Sequence, residues 1–156
     1  MQIAVICASS KQPDWVRAGF GAYAKRFRGG IRLVLTEVAL AKRTASAALV
    51  RQIAAEGRRM LEAVPAGAHV VALDESGPAL TTAELAARLE RWIGQGGPVA
   101  VLIGGPDGLA PACIERADER WALSPLTLPH GLVRVIVAEA LYRALSLLQG
   151  HPYHRA

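Results

Sequence analysis

The sequence is poor in the residues that staple or metallate small domains. Only two cysteines occur in 156 residues, Cys7 and Cys113, and they form no Cys-x-x-Cys unit. They read as buried free thiols ahead of a disulfide or a nucleophile. His151 and His154 stand three apart but flank Pro152 in a tail with no third ligand nearby, so no metal site is expected. Nucleotide and hydrolase signatures are also absent. Gly104-Gly-Pro-Asp-Gly108 lacks the Gly-Lys-Ser/Thr ending that clamps a triphosphate, and the first strand runs into Ala8-Ser9-Ser10 without a G-x-G-x-x-G turn. No G-x-S-x-G elbow surrounds Ser124. ATP, NAD and serine-hydrolase chemistry are therefore disfavoured.

Membrane signals are missing as well. Met1-Gln-Ile-Ala-Val-Ile-Cys7 has no basic start or small-residue cleavage site, and the longest apolar helix carries Arg134, Glu139 and Arg143. A soluble, cytoplasmic protein with no membrane partner is expected. Hydrophobic residues make up 52% of the chain, enough for one domain over residues 1–156 with a core that needs no staple.

The periodicity alternates strand and helix. Strands are expected at Gln2–Ala8, Arg32–Val38, Ala68–Leu73, Val99–Ile103 and around Trp121. Asp14 is placed as the N-cap of a first helix with Val16, Phe20, Tyr23 and Phe27 inward. A second helix carries Leu49, Ile53, Met60, Leu61 and Val64 inward and Arg51, Glu56, Arg58, Arg59 and Glu62 mostly outward. Thr81 and Glu84 have capping-box spacing before Leu85, Leu89, Trp92 and Ile93. Helices at about Leu109–Glu119 and Gly131–Gln149 complete the pattern. The fold class is α/β, a mostly parallel sheet flanked by helices.

Charge is unevenly spread. Residues 1–64 carry eleven Lys/Arg against four Asp/Glu, net +7, whereas residues 65–156 carry seven against nine, net −2. A polyanion approaching the basic half fits this asymmetry, and Lys42-Arg43, off any helix face, suit either a phosphate contact or plain solvation.

The chain is organised around Val99 to Arg155. The apolar run Val99-Ala-Val-Leu-Ile103 stops at Gly104-Gly105, and a second loop, Leu123-Ser-Pro-Leu-Thr-Leu-Pro-His130, follows the Trp121 strand. A strand buried on both faces delivers its loop to the carboxyl edge of the sheet, where open α/β folds bind ligands. Both loops also read as tight turns shaped by Gly and Pro. The final helix is apolar nearly all round, with Glu139 and Arg143 positioned to pair and Arg134 on the opposite side from Arg143. Such a helix needs cover on every side, from its own core and from a second subunit in a homodimer, or as the central helix of a monomer.

Leu102-Ile-Gly-Gly-Pro-Asp-Gly108, Leu123-Ser-Pro-Leu-Thr-Leu-Pro-His130, Val133-Arg134-Val135, Glu139-Ala-Leu-Tyr-Arg143 and His151-Pro-Tyr-His-Arg155 together resemble the RlmH-type family of 23S rRNA pseudouridine-N3 methyltransferases. Pro13-Asp-Trp15, Tyr23-Ala-Lys-Arg26 and Lys42-Arg43 extend the resemblance over the whole chain. Asp107 stands where many members have Glu, and Gly131 where some have Pro.

That resemblance implies the SPOUT fold with a C-terminal trefoil knot, a homodimer, and S-adenosyl-L-methionine as cofactor. It places the cofactor on Leu73, Gly104 and Gly105 on one side and Leu123, Ser124, Pro125, Leu126, Thr127 and Leu128 on the other. It implies methylation of N3 of a pseudouridine in 23S rRNA; because one small subunit offers little recognition surface, the expected substrate is an assembled ribosome. The alternatives are a SPOUT enzyme acting on tRNA or another rRNA nucleotide, and a noncatalytic ribosome-binding factor. Because an imide nitrogen must lose its proton before it is methylated, a base or an anion stabiliser is required. Resemblance and location nominate Arg134, Arg143, Tyr153 and His154 as catalytic, with His154 or water removing the proton. They nominate Lys42, Arg43, His130 and Arg155 for the RNA, His130 alternatively capping the last helix.

Overall fold

Alternation of side chains along the strands sets the layers of the molecule. The computed structural model describes residues 1–43 and 48–154, the His154 side chain excepted. Its strands are β1 (Gln2–Ser9), β2 (Arg32–Ala39), β3 (His69–Leu73), β4 (Val99–Ile103) and β5 (Glu119–Trp121). They form one parallel sheet in the order β2-β1-β4-β3-β5. Pairing of Ile3, Val5 and Cys7 with Val99, Val101 and Ile103 directs these residues to one face, and Ala4, Ile6, Ala8, Ala100 and Leu102 to the other.

The first face is covered by α1 (Asp14–Ala24), α3 (Thr82–Gln95) and α5 (His130–Leu148) through Phe20, Leu89, Trp92, Val137 and Leu141. The second carries α2 (Leu49–Glu62) and α4 (Pro111–Arg116) through Met60 and Cys113. Both cysteines are free and buried, as expected. Two-sided cover explains why β1 and β4 read as unbroken apolar runs.

The capping box that starts α3 is present. The Thr81 hydroxyl accepts the Glu84 N–H at 3.2 Å, and the Glu84 carboxylate accepts the Thr81 N–H at 2.7 Å. Four local expectations are corrected. Pro13, not Asp14, is the N-cap of α1, leaving Asp14 in the first turn. Helix α4 stops at Arg116 because Asp118 binds β3, its N–H donating to the Val70 carbonyl at 2.7 Å and its carboxylate accepting the Val70 N–H at 2.8 Å. Ile93 is on the exposed side of α3. Glu56 faces inward and is 2% exposed, because it accepts the Ala41 N–H and pairs with Arg43.

Helix α5 lies on the sheet between α1 and α3, which bury Val137, Ala138, Leu141, Ala144 and Leu145. Leu132, Val133, Val135, Ile136 and Leu147 remain only half-buried. No described helix is long and apolar enough to cross a membrane.

Candidate functional site

With every strand parallel, the carboxyl ends of β3, β4 and β5 meet at one edge, and a cavity of about 430 Å³ opens there. That volume suits a small-molecule ligand. Leu73 ends β3 and Asp74 and Glu75 follow it, Ile103 ends β4 and Gly104 to Gly108 follow it, and Ala122 to Ser124, Leu126 and Thr127 come after β5, with Leu128, His130 and Val133 closing the far side.

The sequence makes the β4 loop in a way few side chains would permit. A Cβ on Gly104 would sit 2.6 Å from the Leu109 nitrogen, so the backbone folds back on itself at a place only glycine fits. Gly108 takes φ +85° and donates its N–H to the Gly105 carbonyl at 3.0 Å, closing the turn. In the β5 loop the Ser124 hydroxyl accepts the Leu126 N–H at 2.9 Å, which gives that serine a turn-forming role.

The electrostatics of the lining are one-sided. Asp74, Glu75 and Asp107 contribute carboxylates, and neither lysine nor arginine is among the lining residues. Hydrogen bonds from Ser76, outweighing partial burial, hold the Asp74 carboxyl below its usual range, with Arg120 at 3.5 Å adding to the effect. His130 is pushed the opposite way from a protonated imidazole, first by burial and then by the nearby Arg134 charge, so its ring is neutral at pH 7. Its side chain does not cap α5, whose N-cap is Pro129.

Of the cofactor residues expected from the sequence, Leu73, Gly104, Gly105, Leu123, Ser124, Leu126, Thr127 and Leu128 line the cavity, and Pro125 does not. His130, assigned to RNA, lines it too. Sequence reading did not single out Asp74, Glu75, Ile103 or Val133 as site residues. The acids directly after the apolar Val70–Leu73 run, at the same sheet edge as Gly104, were the available signal.

Of the nominated catalytic residues, Arg134, Arg143 and Tyr153 do not line the cavity. Arg134 is fully buried, its Nη1 2.5 Å from a Glu37 carboxylate oxygen on β2, so it ties α5 to the sheet. Beside it, burial pushes the Cys7 thiol up to about 12, against the influence of the Arg134 charge. Arg143 and Glu139 pair at 2.6 Å on α5, as expected. The chain then turns through a short 3₁₀ helix, Pro152–His154, which places the Tyr153 hydroxyl 3.1 Å from Glu139. Tyr142 meets Tyr153 edge-on at 4.8 Å, and the Arg26 guanidinium sits 5.4 to 5.7 Å from the rings of Tyr23, Tyr142 and Tyr153. Burial above all, then the Tyr23 hydrogen bond and the Glu139 charge, hold the Tyr153 phenol well above its ordinary range. Tyr153 is thus a neutral hydrogen-bonding group at pH 7.

Thirteen residues of helix separate His130 from Arg143, about 20 Å of rise. Arg143 and Glu139 nevertheless line a second, smaller cavity with Trp121, Ala122 and Leu123, and Ala122 and Leu123 also line the first, so the Arg143 side of α5 borders the β5 wall of the cavity within one chain without lining it. Arg43 is engaged with Glu56 and Asp107, whereas Lys42 is exposed. Arg155 and the His154 side chain lie outside the described residues. Among the described residues no group of three His, Cys, Asp or Glu could hold a metal ion.

These observations define an α/β protein with an acid-lined small-molecule cavity made by the loops at the carboxyl edge of a parallel sheet. The family model described as predicted SPOUT methyltransferase matches residues 1–154. Ribosomal RNA large subunit methyltransferase H of Methylococcus capsulatus is 50% identical over 155 residues, covering 99% of this chain and 100% of that protein. The same-named protein of Alkalilimnicola ehrlichii is 52% identical over 156 residues, covering 100% of each. Among solved structures, TrmJ from Z. mobilis ZM4 matches with a TM-score of 0.52 at 18% identity, over 92% of this chain and 69% of that one, a likeness of fold. The chain belongs to the SPOUT methyltransferases, in the group of the large-subunit methyltransferase H proteins, as its sequence motifs suggested.

Proposed function

We propose that this protein transfers a methyl group from S-adenosyl-L-methionine to N3 of a pseudouridine in 23S rRNA, on assembled ribosomes, as a knotted homodimer. The observation that carries this reading is the cavity itself. Three carboxylates, apolar leucines and exposed glycine backbone suit a ligand with an adenine edge and net positive charge, and suit a triphosphate poorly. Relatives half identical to this chain bear the name of a large-subunit rRNA methyltransferase.

In this reading, backbone N–H and C=O groups of the loops after β4 and β5 would hold the adenine and Asp74 and Glu75 would face the cationic end, Asp107 being paired with Arg43. Bound there, the cofactor would supply an electrophilic methyl group on a positively charged sulfur. The chain's task is to position the acceptor nitrogen and stabilise it as its proton leaves. Arg143 offers a charge for the imide anion, Tyr153 a neutral hydroxyl that orients it, and His154 or water receives the proton. Arg134, buried and paired with Glu37, holds α5 to β2 instead of meeting RNA. Arg143 and Tyr153 do not line the cavity of their own chain, and in this reading a second copy supplies them to it. The half-buried residues Val135, Ile136 and Leu147 of α5 are apolar surface available to that copy. Lys42, exposed, contributes a phosphate contact on the basic half.

Transfer of labelled methyl to purified ribosomes, with and without prior pseudouridylation, tests the reading. Label on pseudouridylated ribosomes alone is expected. Label on tRNA or on another nucleotide would redirect the substrate, and no uptake together with no heat of S-adenosylmethionine binding would leave a noncatalytic binder.

A further inference from the structure

Behind the β4 loop stands a second layer that the cavity alone does not reveal. The segment Leu40–Arg43, which follows β2, packs against it: a Cβ on Gly105 would lie 2.8 Å from Leu40 Cδ2 and 3.7 Å from a Glu56 carboxylate oxygen. Glu56 projects from α2 and is buried, with its Oε1 accepting the Ala41 N–H at 2.9 Å. A carboxylate this enclosed requires a cation. Arg43 supplies it, pairing with Glu56 through Nη1 while also donating to the Ala41 carbonyl at 3.1 Å. The other edge of the same guanidinium reaches forward to the cavity wall. Its Nε and Nη2 lie 2.9 and 2.8 Å from Asp107 Oδ2.

We propose that Arg43 is a positioning residue for the cofactor loop, a strut between buried Glu56 and Asp107 that sets the backbone of residues 104–108. The inference rests on the cavity being the S-adenosylmethionine site. Guanidinium geometry is what the job requires, because its planar fork addresses two carboxylates on different sides at fixed angles, whereas an ammonium is a single point of charge. Arg43 is thereby committed to the protein's own acids. The neighbouring Lys42 is exposed and offers its charge to a phosphate. The loop is tied back before the ligand arrives, so the ordering cost on binding is reduced.

The experiment compares the full-length wild type with Arg43→Lys, which keeps a cation beside Glu56, and Asp107→Asn, which leaves the Arg43–Glu56 pair intact. Two readouts are taken without RNA: amide hydrogen exchange over residues 104–109 in the free protein, and S-adenosylmethionine affinity by calorimetry. The KM for ribosomes is then measured. Both variants are expected to exchange faster in the loop, and Arg43→Lys to bind S-adenosylmethionine roughly five- to tenfold more weakly, with the ribosome KM at saturating cofactor unchanged. Wild-type loop exchange and cofactor affinity in Arg43→Lys, with a raised ribosome KM, would overturn the proposal and make Arg43 a phosphate contact. Should wild type bind no S-adenosylmethionine, the cofactor assignment fails by itself, and loop exchange in the free protein still decides whether the strut exists. If Arg43→Lys does not fold, unchanged loop exchange in Asp107→Asn overturns the proposal.

Discussion

Beside the start of α5 the molecule offers a cavity walled by glycine backbone, leucines and three carboxylates; farther along the helix, a cluster of two arginines, three tyrosines and Glu139. The first is suited to hold a ligand by shape and backbone, and has no basic side chain among its lining residues. The second has charge and hydrogen-bonding groups and lines no part of that cavity. The two regions share no residue but border each other through Ala122 and Leu123, and the proposed function assigns binding to one and chemistry to the other, across two chains. Changes in the two regions should consequently fail in different ways.

The largest effect is expected from Arg143→Ala. Loss of a charge that meets the developing anion should slow methyl transfer by roughly 10²- to 10³-fold with cofactor affinity unchanged, read by single-turnover transfer beside calorimetry. Equal losses in affinity and rate would merge the two regions into one. Next, Gly104→Ala places a Cβ against the Gly108 carbonyl and the Leu109 nitrogen. Overpacking of about 1–3 kcal/mol should appear as a 5- to 150-fold weaker S-adenosylmethionine affinity, while the Arg26–Tyr142–Tyr153 cluster stays in place by tyrosine fluorescence.

A smaller effect concerns pH. The folded chain holds His130 neutral more firmly than the unfolded chain does, so the unfolded state takes up a proton first as pH falls through the ordinary histidine range. Stability from this group is therefore full above about pH 6.5 and is lost on acidification. His130→Gln should flatten that part of the curve of denaturant midpoint against pH, and a curve identical to wild type would remove His130 from the account.

The two regions also differ in how far the sequence displays them. An apolar run halted by Gly104-Gly105 announces a buried strand and its carboxyl-edge loop, since both are backbone properties written in local composition. The Thr81–Glu84 box is legible for the same reason: its partners are three residues apart. Glu56 is not, because helical spacing places it on a polar stripe and only the tertiary position of Arg43, thirteen residues earlier, makes the inward side favourable. Arg134 is similar. Its opposition to Arg143 follows from helix geometry, but its burial depends on Glu37, ninety-seven residues away. The carboxylates Asp74 and Glu75 follow an apolar run in the sequence, and only the pairing of β3 with β4 makes them part of a site.

The most direct measurement mixes two inactive proteins. Gly104→Ala, at a cofactor concentration too low for it to bind, is combined in equal amounts with Arg143→Ala under conditions that let subunits exchange. If the cavity of one chain is completed by the Arg143 end of the other, mixed dimers carry one whole site each, and about a quarter of wild-type methyl transfer returns. No recovery in a mixture shown to contain mixed dimers would contradict the account, placing binding and chemistry within the same chain.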